Sequence, residues 1–285
     1  MSAARHREQR GFTLIEAIMV ITLTGIIAAV IAVFIRKPVD AYFDTVRRAE
    51  LTDAADIAVR RIGREIALAL PNSVRVTESG GVAYIEFIMT SGGGRYRDDG
   101  DGSTGGNILD FNTASLNFDV LGAMPANPSI AANDYIVVYN LGTGYAPGDA
   151  YDCSSQCNRA QVAATPTTNT VTLVSNPFAT QSPELRSPNA RFQVVPGGTQ
   201  AVTYACSTGT AGNVVRHWNY GFVAAQPSPP IGGSSATLAG GATCLVDYTT
   251  AATGRNGLLA IALTLADASG ESVTLSWQIH VDNSP

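Results

Sequence analysis

The chain has 285 residues, of which 45% are hydrophobic and 14% are charged, and its formal net charge at pH 7 is −5. The acidic balance argues against nucleic acid as a partner, because phosphate binding needs a basic surface, and the apolar content excludes a disordered chain. Low charge combined with 28 Gly and 14 Pro favours a β-rich domain with many turns, located outside the cytoplasm.

An apolar run near the N-terminus is the first predicted element. From Phe12 to Ile35 the only ionisable side chain is that of Glu16. A helix of this length measures about 36 Å, which is enough to cross a hydrocarbon core of about 30 Å. Arginines at positions 5, 7 and 10 precede the run, so the positive-inside rule leaves this end in the cytoplasm. The run is longer than the core of a signal peptide and no Ala-x-Ala-like site closes it, which predicts a single-pass membrane anchor.

Glu16 indicates what kind of anchor this is. A carboxylate within a membrane helix is costly and therefore suggests a function with a specific partner. Gly11-Phe12-Thr13-Leu14-Ile15-Glu16, followed by a long apolar helix, resembles the N-terminus of type IV prepilins and type II secretion pseudopilins. The resemblance implies that a prepilin peptidase cuts after Gly11 and methylates the new N-terminus at Phe12. It also implies that Glu16 pairs with the N-terminal amine of a neighbouring subunit in the filament core, where each charge neutralises the other.

A second helical pattern continues beyond Pro38. Apolar residues recur at spacings of three or four as far as Leu70, which is typical of an amphipathic helix, and Pro71 ends it. Five Arg between residues 47 and 64 form either a solvated helix face, which we favour, or a contact with neighbouring subunits or acidic lipid. The predicted organisation is a cleaved leader at 1–11, a membrane and filament-core half-helix at 12–35, an amphipathic half-helix at 36–70 bent near Pro38, and an extracytoplasmic β domain at 71–285.

The rest of the chain has the period-two pattern of β-strands. The clearest hairpin is formed by Leu258–Ala266 and Ser272–Val281 around a turn at 267–270. Stretches rich in Gly, Asp or Pro at Ser91–Asn107 and Gln226–Gly241 are predicted as loops. The predicted fold class is α+β, with a long N-terminal helix followed by one β-rich, mostly antiparallel globular domain. Further strands are predicted at Ser73–Thr77, Val82–Thr90 (after a Gly80-Gly81 turn), Leu116–Leu121, Tyr135–Asn140, Val171–Val174, Phe192–Val195 and Val202–Ala205.

One acidic segment has a weak likeness to a metal site. Asp98, Asp99 and Asp101, together with Gly100 and Gly102, resemble part of a calcium loop. The full ligand pattern and terminal Glu of an EF-hand are missing, so a plain acidic surface loop is favoured. No cofactor is expected.

The four cysteines all fall in the predicted extracytoplasmic part. In an oxidising compartment an even number favours disulfides, and four cysteines allow three pairings. We predict Cys153–Cys157, which pins a small loop, and Cys206–Cys244, which closes a long one. A zinc site is the alternative, but Cys-x-x-Cys and paired His motifs are absent from the sequence.

The sequence offers little support for an enzyme. Beyond the leader only His217 and His280 remain, and both are interpreted as surface or sheet residues. The chain contains no Gly-x-Ser-x-Gly elbow, phosphate loop or zincin helix. Trp218, Tyr220 and Phe222 alternate, which favours a core or sheet face over an aromatic binding face.

Short segments spread along the chain resemble MshO-type minor pilins of the mannose-sensitive haemagglutinin (MSHA) system. The resemblance implies a structural subunit that primes or caps a type IV pilus, with other major and minor pilins and the inner-membrane assembly platform as partners. It further implies a location in the inner membrane with a periplasmic domain, and then in the extracellular pilus. The alternatives are a type II secretion pseudopilin and a pilus-tip adhesin or ligand-binding module. The matching segments are Arg64–Arg75, Gly94–Arg97, Val137–Gly142, Asn158–Ala160, Arg191–Phe192, Val202–Cys206 and Gly270–Val273.

Overall fold

The computed structural model describes residues 11–100, 102, 105–250 and 256–285. Except for Gly11, the predicted leader lies outside these residues. The chain divides into two compact units, Met1–Glu50 and Leu51–Pro285. A long helix, α1, covers Leu14–Ile66 and contains Pro38.

In the described part of the chain, thirteen strands and one short 3-10 helix follow α1. All strand pairs are antiparallel, which confirms the predicted fold class. The 3-10 helix covers Pro177–Thr180. The strands are β1 (Arg75–Ser79), β2 (Val82–Ile88), β3 (Gly92–Tyr96), β4 (Asn117–Leu121), β5 (Tyr135–Val137), β6 (Arg159–Gln161), β7 (Thr170–Thr172), β8 (Arg191–Val195), β9 (Ala201–Ser207), β10 (Gly212–Trp218), β11 (Ser234–Thr250), β12 (Asn256–Ala266) and β13 (Ser272–Asp282).

The end of α1 differs from the prediction. The helix ends at Ile66 and not at Leu70. The amide of Ala69 donates to the Ile66 carbonyl (2.9 Å), which tightens the last turn, and the amide of Leu70 donates to the Ile88 carbonyl (2.8 Å). Leu70 is buried beside Ile88 in a different hydrophobic cluster from Ile66, so the chain leaves the helix to reach it.

The second half of α1 packs on a seven-stranded sheet with the order β1-β2-β9-β10-β11-β12-β13. Burying one stripe of an amphipathic helix on a sheet is the usual way to form such a core. Glu65 of α1 also pairs with the buried Arg216 of β10, with the arginine Nε 2.7 Å from a carboxylate oxygen. The buried helix stripe consists of Ala55, Ala58, Val59, Ile62 and Ile66.

The remaining strands form a closed barrel. Their order is β6-β5-β8-β3-β4-β7, and the two end strands are joined by a bridge between Val162 and Leu173. Two backbone hydrogen bonds of 2.8 Å close this seam, from Ala163 to Thr172 and from Val174 to Gln161. Closure leaves this sheet without a free edge. Its interior is filled by aromatic and aliphatic side chains, among them Tyr96, Phe111, Phe118, Phe178 and Phe192.

The barrel is an insertion within the seven-stranded sheet. β2 pairs directly with β9, and Ile88 lies opposite Ala201, although the whole barrel separates them in sequence. A third hydrophobic cluster joins the two parts and contains Leu70, Ile88, Val137, Ala150, Tyr151, Val195 and Ala201. The second compact unit, Leu51–Pro285, therefore contains two main cores.

The prediction of a loop at Ser91–Asn107 is wrong for its first part, because Gly92–Tyr96 forms β3. The content of Gly and Asp predicted a loop, but Gly93 and Gly94 allow close packing within the strand. A Cβ on Gly94 would lie 2.8 Å from a ring carbon of Phe192, which is buried in the barrel. Here glycine permits the approach of an aromatic ring.

The prediction of a loop at Gln226–Gly241 is also wrong for its second part. Ser234–Gly241 begins β11, a strand of 17 residues. The first half of β11 pairs with β10 and the second half with β12, and Ala242 is opposite both Gly212 and Leu265. Pro and Gly mark only the first part of this stretch as a turn, and the mostly small residues that follow pair with β10 through two shifts in register.

The two predicted hairpins are confirmed. β12 and β13 pair over eleven positions, and their turn is held by Asp267, whose carboxylate accepts from the amides of Ser269 and Glu271. β1 and β2 are joined by Gly80 and Gly81, both with positive φ (59° and 74°). That geometry suits the right-handed twist of a two-residue hairpin turn.

Candidate processing and assembly site

The start of α1 is built from a capping motif. Thr13 immediately precedes the helix, and its Oγ1 accepts a hydrogen bond of 3.3 Å from the amide of Glu16. The Thr13 carbonyl accepts the first helical bond from Ala17 at 3.1 Å. Thr at the cap and Glu three residues later form the capping-box pattern, which was present in the sequence but not used in its interpretation. Glu16 also lies in the first turn, where a negative charge is favoured by the helix dipole.

The predicted cleavage position lies just before this cap. Gly11 and Phe12 belong to no helix or strand and are exposed, with Phe12 70% accessible. A Cβ placed on Gly11 would have no atom within 4 Å. The fold of the described residues therefore does not require glycine at this position.

The following segment, Leu14–Ile35, is long and apolar enough to cross a membrane, and none of its most hydrophobic window is buried by the protein. The threonine hydroxyls of this segment donate to backbone carbonyls of the same helix. Thr22 donates to the Ile18 carbonyl at 2.9 Å, and Thr24 donates to that of Val20. Such local bonds lower the cost of a hydroxyl in an apolar environment.

The Glu16 side chain is exposed, and its carboxylate has no hydrogen bond or ion pair with the part of the chain that the structure describes. In this segment of apolar side chains it is thus available to a partner. Glu16 therefore combines a local role at the helix cap with a free acidic group.

Two carboxylates of the acidic loop form ion pairs with one arginine. Arg186 donates to Asp98 and, at 2.8 Å, to Asp99, and its guanidinium lies 4.9 Å from the centroid of the Phe111 ring. Asp101, the third residue of the calcium hypothesis, lies outside the described residues. Within the ranges that the structure describes, no three His, Cys, Asp or Glu are grouped as metal ligands.

The cysteines are joined in the same pairs that the sequence predicted. Cys153 bonds to Cys157 with 4.5 Å between their Cα atoms. Cys206 of β9 bonds to Cys244 of β11, with a Cα separation of 5.9 Å, and both lie in the main core. The second bond connects two strands that are separated by β10 in the sheet.

The histidines and the alternating aromatic residues take structural positions. His217 is half-buried in β10, and burial lowers its pKa, whereas His280 is exposed on β13. Tyr220 donates to the buried Glu86 at 2.8 Å, and Phe222 packs edge-on against Tyr135. Among the described residues, neither histidine is hydrogen-bonded to a Ser, Thr or Cys side chain, the arrangement that activates a nucleophile for acyl transfer.

Comparison with known proteins supports the N-terminal interpretation. Residues 6–32 match the family model of the prokaryotic N-terminal methylation motif. No curated protein matches the chain, and no solved structure matches it. The matched range includes the capped helix start, the exposed Gly11-Phe12 bond and Glu16. The chain thus has the N-terminal methylation motif of type IV pilin-like proteins.

Proposed function

We propose that this chain is a minor pilin, a structural subunit of an MSHA-like type IV pilus. The observation that supports the proposal most directly is the methylation motif at residues 6–32, at the start of an apolar helix whose side chains are exposed. A prepilin peptidase would cut between Gly11 and Phe12 and methylate the Phe12 amine. The chain then acts by assembly and not by catalysis.

The surroundings of Gly11 support a role in processing. Because a Cβ at this position would touch nothing in the fold, a requirement for glycine would come from the peptidase. The exposed, irregular backbone around Gly11 and Phe12 is also suited to entering an active site.

Glu16 is the proposed assembly residue. Its carboxylate would meet the methylated amine of Phe12 from a neighbouring subunit as apolar helices associate. Away from water, an unpaired carboxylate would cost several kcal/mol, so this pairing would fix the register between helices. The other major and minor pilins and the inner-membrane assembly platform would be the partners.

The size of the second unit supports a minor subunit at a filament end. Leu51–Pro285 contains the seven-stranded sheet and the inserted barrel. A domain of this bulk is easier to place at the tip than within a tight helical array. Recovery of the chain from sheared surface filaments would support a pilus, and its restriction to the periplasm would support the secretion pseudopilin.

The first experiment tests processing. The full chain is expressed with a prepilin peptidase, beside a Gly11→Ala variant, and both are analysed by intact mass and N-terminal sequencing. We expect a product that begins at N-methylated Phe12, and impaired cleavage of the variant. An uncut chain under conditions that process a control prepilin would refute the proposal.

A second experiment separates the two roles of Glu16. Glu16→Gln removes the charge, whereas Thr13→Ala removes the helix cap and leaves the charge. We expect both variants to be cleaved, but only Glu16→Gln to be strongly depleted from sheared filaments. Equal incorporation of Glu16→Gln and wild type would show that the carboxylate is not needed for assembly.

A further inference from the structure

The outer strand of the seven-stranded sheet, β13, has an open edge. It pairs with β12 at eleven consecutive positions without a bulge, and within the described ranges no strand pairs with its other side. A loop is bonded to side chains of the opposite outer strand, β1. Arg75 donates to the carbonyls of Val223 and Ala224, and the Thr77 hydroxyl donates to the side-chain oxygen of Gln226 at 2.7 Å.

The sequence of β13 lacks the usual protection of an exposed edge. Soluble proteins protect long edges with charged side chains, prolines or bulges, because free amides and carbonyls bind other strands. The first ten residues of β13, Ser272–Val281, contain no Lys, Arg, Asp, Glu or Pro, and the only charged side chain of the strand is that of its last residue, Asp282. A regular edge with ten successive uncharged positions indicates that another strand covers it.

A groove runs beside this edge. Its volume is about 540 Å³, and it separates β13 from the second half of α1. Ile57 is 64% exposed and Trp277 is 40% exposed, so the groove presents apolar surface to solvent. A Cβ on Gly63 would lie 3.6 Å from the Trp277 indole nitrogen, which shows how closely the helix approaches the strand. The lining residues of α1 and its C-terminal end are Ile57, Arg60, Gly63, Arg64 and Ala67, and those of β13 are Trp277, Gln278, Ile279 and His280.

The charge of the groove is positive. Arg60 pairs with Asp56 at 2.6 Å and lies 5.8 Å from the Trp277 ring centroid. Arg64 is exposed and has no hydrogen bond or ion pair with the described residues. Of the two arginines that line the groove, Arg60 is therefore paired with Asp56, and Arg64 leaves the lining with a net positive charge.

We propose that β13 and this groove bind an extended segment of a different filament subunit, which adds as a strand along β13 and places acidic side chains against Arg60 and Arg64. Backbone hydrogen bonds along the edge would supply affinity, and the groove would select the side chains. A second copy of this chain is disfavoured, because two such edges would bring four arginines together. The inference depends on the proposed function, since it takes the partner from the same filament.

The test uses the full chain in cells that assemble the pilus. A photoreactive p-benzoylphenylalanine is introduced at Gln278 on the exposed edge, or at Thr167 on an exposed barrel loop as a control. We expect irradiation to link position 278, but not position 167, to another pilin. Mass spectrometry should identify the linked peptide as an extended acidic segment.

Charge reversal tests the chemistry of the groove. Arg64→Glu should lower the yield of the position 278 adduct about fivefold, as expected for an exposed ion pair worth about 1 kcal/mol. Arg191→Glu is the matched control, since it changes the net charge equally on an exposed barrel strand where Arg191 faces Arg95. The control should leave the adduct yield unchanged.

The outcomes separate the two proposals. If the chain is cut after Gly11 and recovered in filaments but gives no adduct at position 278, the edge proposal is refuted and the pilin proposal stands. Adducts formed mainly with a second copy, or equal effects of the two arginine variants, also refute it. If the chain is neither cut nor incorporated, both proposals fail.

Discussion

At the scale of single residues, Arg75 fixes a loop to the sheet. Its Nε lies 2.7 Å from a carboxylate oxygen of Glu86, and its guanidinium lies 3.7 Å from the centroid of the Tyr151 ring. The two remaining nitrogens donate to the carbonyls of Val223 and Ala224, both at 2.6 Å. The planar guanidinium, which has five N–H donors, therefore pairs with a buried carboxylate and also binds the backbone of a loop.

Removal of this arginine should be severely destabilising. We expect Arg75→Ala to lower the free energy of unfolding by about 3–5 kcal/mol, because it leaves Glu86 buried without its cation. Arg75→Lys retains the charge but not the forked geometry, so its loss should be smaller. Denaturant unfolding of the detergent-solubilised full chain would measure both, and equal losses would show that the positive charge contributes nothing without the forked geometry.

Glu86 predicts a pH dependence of stability. Burial raises the pKa of this carboxyl above its ordinary value of 4.5, although its bonds to Arg75 and Tyr220 act in the opposite direction. Because its pKa is higher in the folded chain, Glu86 binds its proton more tightly there than in the unfolded chain. The stability that this provides is complete below the ordinary pKa and is lost as pH rises through the pKa of the folded chain. Glu86→Gln cannot titrate. We therefore expect the stability of wild type relative to Glu86→Gln to decrease as pH rises above the ordinary pKa of 4.5. A difference that grows over this range would contradict the assigned direction.

At the scale of elements, local patterns predicted some strands and missed others. The β12–β13 hairpin follows from period-two alternation around a turn, and Gly80-Gly81 supplies the positive φ that its neighbours need. β3 was missed because its three glycines show no period-two pattern. Gly93 and Gly94 are explained by their close contact with Phe192, about a hundred residues away in sequence. Local sequence cannot report such a contact. The capping box of Thr13 and Glu16 was readable, but the resemblance to prepilins drew attention to Glu16 alone.

The glycines of β3 provide a paired test. Gly94→Ala would place a methyl group 2.8 Å from the buried Phe192 ring, and overpacking of this kind costs about 1–3 kcal/mol. In Gly92→Ala, in the same strand, the nearest atom is a Pro125 carbon at 3.7 Å, an ordinary contact. We expect a clear fall in the unfolding free energy for position 94 and little change for position 92. Similar values for both would mean that the ring can move aside.

The two disulfides should differ in their contribution. Cys206 and Cys244 are 38 positions apart, and Cys153 and Cys157 are four apart. The chain-entropy model gives about 4 kcal/mol for the long loop and about 2 kcal/mol for the short one. Replacing each pair by alanines should therefore cost more for Cys206 and Cys244, as measured by denaturant midpoints. The reverse order would indicate that strain or residual structure outweighs loop closure.

For the whole molecule, no local pattern in the sequence indicates the nested topology. The strands on either side of the barrel, β2 and β9, have ordinary strand patterns, and nothing local indicates that they pair with each other. The closing bridge between Val162 and Leu173 likewise depends on contacts made only in the fold. What the sequence did predict at this scale is the order of parts, with an apolar helix first and a β-rich unit after it.

The nested topology makes a final prediction, that the seven-stranded sheet does not need the barrel to form. The amide of Met89 donates to the Gln200 carbonyl at 3.1 Å, so the two ends of the insertion are neighbours. Replacing residues 90–199 by Asn-Gly would turn β2 and β9 into an ordinary hairpin with a favoured two-residue turn. The shortened chain would lose the contacts of Leu70 and Ile88 with the barrel, so we expect lower stability. It should nevertheless form the Cys206–Cys244 bond and keep slow amide exchange in β11 to β13. Fast exchange throughout those strands would show that the sheet folds only when the barrel is present. In that case the hydrophobic cluster between sheet and barrel, and not the core beneath α1, would provide most of the stability of the unit.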